Sequence, residues 1–248
     1  MAHPLSIQLY TLREQLEADR DGTLARLAGI GYTSVEPYDP TADPAGFRKT
    51  ADELGITVTS THAISLLHQD PDEVFDAAAA LGTDRLIIPG GIPEEDFTGL
   101  DGVERAANLL NSLSDKAASR GMRIGYHNHW WEIEPRLDGR TALEVLAAFL
   151  APEVFLEVDT YWAHVGGADV PALLRTLGER VTALHIKDGP GVKGEPNTAV
   201  GRGRIDVPAI LAAAPGAVRI VELDTCAGDV FEAVADSHTY LTGSEGAR

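Results

Sequence analysis

The segment Leu54-Gly-Ile-Thr-Val-Thr-Ser60 decides the fold once it is read together with Asp70-Pro71 and Leu81-Gly82 downstream. Gly55 closes one helix, and Ile56–Ser60 form a short β-branched run. Polar residues follow, and Asp70-Pro71 opens the next helix with an N-cap acceptor before a proline at the first helical position. Leu81-Gly82 then ends that helix where left-handed geometry favours glycine. This is one βα unit.

The same unit repeats along the chain. Apolar, β-branched runs occur at Leu5–Leu9, Thr33–Glu36, Ile56–Ser60, Arg85–Ile88, Arg123–Tyr126, Val154–Val158, Val181–Ile186 and Val218–Leu223. Their length suits parallel strands covered on both faces. Further helix starts stand at Asp43-Pro44 and in the capping box Thr141-Ala-Leu-Glu144. Further helix ends stand at Ile30-Gly31, Arg120-Gly121 and Leu177-Gly178. Eight strands alternating with helices in 248 residues predict an α/β chain folded as a single closed parallel (β/α)8 barrel. The barrel is expected over residues 1–241, with 242–248 as a flexible C-terminal tail. The first strand is not followed by a Gly-x-Gly-x-x-Gly turn, which argues against an open dinucleotide-binding sheet.

The net charge of −18 opposes binding to nucleic acid or to an anionic membrane. No apolar run reaches the length of a membrane span, since Glu144 and Glu153 interrupt the best candidate. Cys226 is the only cysteine, so no disulfide forms within the chain. Met1–Leu5 lacks the basic-then-apolar pattern of a signal peptide, and a cytoplasmic location is expected. Association into a homo-oligomer is left open by the sequence.

In such barrels chemistry sits at the C-terminal ends of the strands. Those ends carry Gln8, Glu36, His62, His127, His129, Asp159, His185, Lys187, Glu222 and Asp224. Side chains two apart on a strand share a face, which pairs His127 with His129, His185 with Lys187 and Glu222 with Asp224. His127, Asp159, His185 and Glu222 then supply one ligand from each of the fifth to eighth strands. Imidazoles and carboxylates together are the donors that hold Mn²⁺, Co²⁺, Mg²⁺ or Zn²⁺. A hydrogen-bonded polar ring without an ion is the competing reading of the same residues.

Several motifs resemble those of the xylose isomerase-like barrel superfamily, in its sugar phosphate isomerase/epimerase branch. They are Ile7-Gln-Leu-Tyr-Thr-Leu-Arg13, Tyr126-His-Asn-His-Trp-Trp-Glu132, Val158-Asp-Thr-Tyr-Trp162, His185-Ile-Lys-Asp188, Val200-Gly-Arg-Gly-Arg-Ile-Asp206 and Val221-Glu-Leu-Asp224. The resemblance implies a divalent metal held by Glu, Asp, His and Glu from the fifth to eighth strands. Asp159, His185 and Glu222 match three of these. His127 stands where many members carry the first glutamate, and Glu132 lies five residues further on. Family epimerases use two metal-bound glutamates as bases on opposite faces of a ketose, and the loss of one weakens that mechanism here. Trp162 replaces a histidine that family epimerases often carry three residues after the aspartate.

The resemblance implies a metal-dependent isomerase or epimerase acting on a ketose or keto-sugar through an enediolate. Glu222 is expected as ligand and general base, and Lys187 as proton donor or as an ion pair with Asp188, Asp224 or Glu222. Glu36 and His62, placed across the barrel from the metal residues, are expected to bind substrate together with His129 and Trp162. Arg202 and Arg204 lie in a glycine-flanked loop where barrels often hold phosphate, and Arg202 is a further candidate for substrate contact. The expected partner is a small sugar or cyclitol. Two alternatives share the scaffold: a metal-dependent lyase or dehydratase, toward which His127 shifts the balance, and a non-catalytic sugar-binding barrel.

Overall fold

The computed structural model describes residues 4–243. Its strands are β1 (Ser6–Gln8), β2 (Ser34–Glu36), β3 (Thr57–Val58), β4 (Thr61–His62), β5 (Arg85–Ile88) and β6 (Arg123–His127), then the hairpin β7 (Arg136–Leu137) and β8 (Arg140–Thr141), then β9 (Phe155–Asp159), β10 (Val181–Ile186) and β11 (Val218–Val221). The parallel sheet runs in the order β3-β2-β1-β11-β10-β9-β6-β5-β4. β3 pairs with β2 and β4 pairs with β5, and both are parts of one strand interrupted at Thr59-Ser60. That shared strand closes the sheet into the expected (β/α)8 barrel.

The expected helix starts form as the local chemistry requires. Asp43 and Asp70 side chains accept from Gly46 N and Asp72 N ahead of Pro44 and Pro71. Thr141 and Glu144 close a full capping box. Gly31, Gly55 and Gly82 end their helices in left-handed geometry, whereas Gly178 takes φ 60°, ψ −138° and opens a 3-10 turn instead. Strand ends differ from expectation by a residue or two. Leu9 enters the 3-10 turn Leu9–Leu12, while His127 and Asp159 lie inside their strands. The last helix, Val230–Gly243, takes in the start of the expected tail, and residues 244–248 lie outside the described residues. Among the described residues no helix is long and apolar enough to cross a membrane.

The barrel interior is layered. Near the bottom, the Arg85 guanidinium lies 4.1 Å over the Phe155 ring and reaches across to Thr182 Oγ1 at 2.6 Å. Gly125 leaves room for that ring, since a Cβ there would sit 2.3 Å from it. Above this plug the lining turns polar: Gln8, Glu36, Ser60, His62, His127, Glu157, Asp159, His185, Lys187 and Glu222 are all buried. Apolar residues fill the space between strands and helices, and the buried His, Lys and most buried carboxylate side chains gather in the upper bore.

Candidate metal centre

Strand parity brings the ligand-type residues together. Along β9, Phe155, Glu157 and Asp159 share the inward face. Asp159 divides its carboxylate: Oδ1 accepts from Trp162 N at 2.8 Å as the N-cap of helix Thr160–Val165. Oδ2 is left for the bore, where it meets Lys187 Nζ at 2.8 Å as an ion pair but receives no well-aligned hydrogen bond. His127 Nε2 lies 3.7 Å from Asp159 Oδ2, and His185 Nδ1 lies 2.6 Å from Glu222 Oε2. Ligand atoms of His127, Asp159, His185 and Glu222 fall within 4.8 Å of one another, and all four residues are buried. These are the residues selected from the sequence.

A second layer lies beneath. The Oε1 atom of Glu157 is 2.8 Å from His62 Nε2, 3.1 Å from His127 Nδ1 and 3.0 Å from His185 Nε2. Glu36 Oε1 accepts from Gln8 Nε2 at 2.9 Å and lies 2.8 Å from His185 Nε2. Its Oε2 accepts from Ser60 Oγ. Ligand atoms of His62, His127, Glu157 and His185 also fall within 4.8 Å of one another. His127 and His185 belong to both groups, each presenting one nitrogen upward and one downward.

Charge in the upper layer is balanced by Lys187. Its Nζ sits 2.8 Å from Asp159 Oδ2, 2.7 Å from Glu222 Oε2 and 2.8 Å from Asp224 Oδ2. Burial opposes the charged amine, but Asp159, Asp224 and Glu222 together raise its pKa well above the ordinary lysine value. Burial likewise opposes a charge on His185, yet Glu157 and Glu222 raise its pKa well above 6.5. The Glu157 carboxyl, although pushed up by burial, is held well below the usual carboxylate range by His185 and the hydrogen bonds of three histidines. In Glu36 burial wins, helped by the charge of Glu157, and its pKa rises.

His129 is the partnerless member. Its Nδ1 is buried without a hydrogen bond, and its ring stacks on Trp131 at 4.1 Å. Burial, then the proximity of His127, pushes its pKa down to about 2. A histidine neutral when folded and titrating near 6.5 when unfolded stabilises fully above pH 6.5. That contribution is lost progressively as the pH falls toward the folded value. Replacing His129 by Gln should therefore remove about 2 kcal/mol of the difference in unfolding free energy between pH 7 and pH 5. Urea unfolding at both pH values checks this, and parallel behaviour of the two proteins would contradict it.

The remaining expected site residues are placed unevenly. Glu36 and His62 were expected to stand apart, across the barrel, but the bore is narrow enough for both to join the lower layer. Trp162 stands beside Lys187, whose Nζ is 5.6 Å from its ring, and packs at 4.7 Å against Trp130. Arg202 is not brought to the cluster. Its exposed guanidinium lies 3.7 Å from Asp236 Oδ2 on the last helix. The reason is Asp188, whose buried carboxylate takes the amides of Gly189 and Ile205 on Oδ1 and those of Gly201 and Gly203 on Oδ2, at 2.8 to 3.1 Å. The loop wraps inward around that carboxylate, and Asp188 faces away from Lys187. A Cβ on Gly203 would lie 2.1 Å from Asp188 Oδ1, so the wrap needs glycine there. Glu132 is likewise outside the cluster, bracing the motif by accepting from Tyr126 Oη at 2.5 Å and from His129 N at 2.8 Å.

Glu157 is the residue that sequence reading missed. The signal was present: a carboxylate within an apolar strand, two residues before Asp159 and therefore on its face. A cavity of about 580 Å³ beside the ends of β1 and β2, lined by Arg13, Tyr38, Asp39 and Phe47, contains none of these residues. The buried donors converge away from that cavity. Two imidazoles and two carboxylates, with Asp159 Oδ2 lacking an aligned donor, fit a divalent cation.

Comparison with known proteins agrees with the barrel fold. The profile of the xylose isomerase-like TIM barrel family matches residues 24–217, and the chain belongs to that family. No curated protein sequence matches it. Among solved structures, it resembles a sugar phosphate isomerase/epimerase from Parabacteroides distasonis ATCC 8503, at 23% identity and a TM-score of 0.83, covering 100% of this chain and 96% of the other. It also resembles the probable 3-DHS dehydratase AsbF from Bacillus anthracis, at 13% identity and a TM-score of 0.73 over 97% and 99% of the two chains. A third is the IOLI protein with a bound zinc atom, at 17% identity and a TM-score of 0.74 over 97% of each chain. At these identities the likeness concerns the fold.

Proposed function

We propose that the protein is a divalent-metal-dependent enzyme that isomerises or epimerises a keto-sugar by moving the proton next to its carbonyl. The observation that carries this reading is the buried convergence of His127, Asp159, His185 and Glu222 beside Lys187 at the mouth of the barrel. His127 Nε2, Asp159 Oδ2, His185 Nδ1 and Glu222 would hold the ion, which supplies electrophilic polarisation of a carbonyl and its neighbouring hydroxyl. Mn²⁺, Co²⁺, Mg²⁺ and Zn²⁺ all suit this donor set.

Glu222 is the base. Its carboxylate follows β11 at the rim and retains 4% exposure, whereas Asp159 is fully buried with one oxygen engaged by the helix N-terminus. Lys187, held protonated by three carboxylates, acts as a proton donor toward a developing oxygen and not as a base. Trp162 and Trp130 form an apolar wall on which a sugar face can stack. The substrate is proposed to be unphosphorylated, because the amides of the loop after β10 are engaged by Asp188 and Arg202 is turned to Asp236.

A second reading, a lyase or dehydratase, is favoured by one observation. With His127 in place of a carboxylate, Glu222 is the single base at the rim, paired with one acid, Lys187. One base and one acid serve a proton shift between adjacent carbons or an elimination more directly than a two-face inversion. Incubation in D₂O with ketoses, inososes and 3-keto-glycosides, followed by NMR, separates the readings. Deuterium at carbon with substrate retained is expected for the first, and a new enone for the second. No exchange with any of these compounds would overturn the proposed substrate class.

A further inference from the structure

We infer that Glu157 is the positioning residue of the metal centre, a buried carboxylate that grips His127 and His185 by their far nitrogens and so aims their near nitrogens at the ion. The inference rests on the proposed metal reading and deepens it.

The two shared rings each present one nitrogen to the upper layer and one to the lower. His185 presents Nδ1 upward to Glu222 Oε2 at 2.6 Å and Nε2 downward, where it is hydrogen-bonded with Glu36 Oε1 at 2.8 Å and lies 3.0 Å from Glu157 Oε1. His127 presents Nε2 upward, 3.7 Å from Asp159 Oδ2, and Nδ1 downward, 3.1 Å from Glu157 Oε1. An imidazole that binds a metal through one nitrogen usually donates its other N–H to a carboxylate, which fixes the ring and its tautomer and strengthens it as a ligand. Here a single oxygen lies within reach of both far nitrogens. Because Glu157 and Asp159 are two apart on β9, the strand itself sets the ligand and the positioning carboxylate one above the other. His62 Nε2, 2.8 Å away, holds the same oxygen from the opposite wall.

The rival arrangement places an ion in the lower group, among His62, His127, Glu157 and His185. It would require the far nitrogens of His127 and His185 to lose their protons. It would also leave those rings either turned away from the upper carboxylates or bridging two ions. In the lower layer Gln8, Ser60 and His185 serve Glu36, while His62 and His127 serve Glu157 Oε1. Each layer keeps one buried carboxylate oxygen without an aligned donor, Asp159 Oδ2 above and Glu157 Oε2 below. Three imidazole nitrogens already face Glu157 Oε1, and this crowding points to an ion above and protons below.

The test uses the full chain stripped of metal and titrated with Zn²⁺ and Co²⁺, as wild type, Glu157→Gln and His62→Gln, with ¹H–¹⁵N spectra of histidine-labelled protein. Each protein is expected to bind one ion. Glu157→Gln should bind about 10- to 100-fold more weakly. In Zn²⁺-loaded wild type, two slowly exchanging imidazole N–H signals, from His127 Nδ1 and His185 Nε2, should persist, and Glu157→Gln should shift or lose them. The inference is overturned if wild type binds two ions and either variant one, if those N–H signals vanish on loading, or if Glu157→Gln loses stability with unchanged affinity. Wild type that binds no ion overturns the metal reading as well, which separates the two failures. If Glu157→Gln does not fold, the wild-type N–H signals and the stoichiometry of His62→Gln still decide.

Discussion

Replacing Glu222 by Gln is expected to lower turnover by about 10³-fold, within the range for removing a positioned acid–base group, and to abolish deuterium exchange at the substrate carbon. The exchange of one oxygen for an amide keeps the volume of the side chain and its ability to accept from Lys187. What it removes is the proton acceptor at the rim and one negative charge on the ion. Because the variant also weakens metal binding, the comparison is made at saturating metal, where the loss should persist in kcat. Activity recovered in full by added metal would assign Glu222 a ligand role alone. Unchanged activity under all conditions would remove it from the site.

Lys187→Met is expected to have the largest effect on stability. Asp159, Glu222 and Asp224 converge on its ammonium within 2.8 Å, and Lys187 is 1% exposed. Removing the cation leaves like charges facing one another in a low-dielectric space, a change that costs about 3–5 kcal/mol when one partner of a buried ion pair is lost. Asp224 keeps 31% side-chain exposure and can turn to water, which sets the expectation at the lower end of that range. A divalent ion supplies the missing charge, so Mn²⁺ should stabilise the variant more than it stabilises wild type. Urea unfolding with and without Mn²⁺ measures both. A variant as stable as wild type without metal, and no more responsive to it, would show that Lys187 does not neutralise the upper layer.

Much of the barrel was legible because its repeating signals are local. Asp-Pro starts, helix-ending glycines and short apolar runs each need only neighbouring residues, as Asp70-Pro71, Gly82 and Arg85–Ile88 illustrate. Strand parity extended that reading to the site, since His127, Asp159, His185 and Glu222 needed only a face and a strand end. Depth and bore width were not legible. His62 and Glu36 belong to strands on the far wall, and nothing local says that the wall lies 2.8 Å from Glu157 and His185. Glu157 was hidden by the apolar residues around it, although its parity with Asp159 marked it. Arg202 lies in a loop with no period, where side-chain direction follows from what the backbone amides bind, here Asp188.

His127 and His185 are shared by both layers and link the upper carboxylates to Glu157 below. His127 is a neutral donor above, and Glu157 returns a carboxylate one layer below. His127, Asp159, His185 and Glu222 would hold a divalent ion, and Glu222 keeps 4% exposure at the rim.

The most direct test of a metal-dependent centre is elemental analysis of the purified protein, exchanged into chelator-free buffer containing Mn²⁺, Co²⁺ or Zn²⁺ and then freed of unbound ion. One tightly held divalent ion per chain, lost in Asp159→Asn, is the expected result. A protein that retains no ion from any of the three would contradict the account.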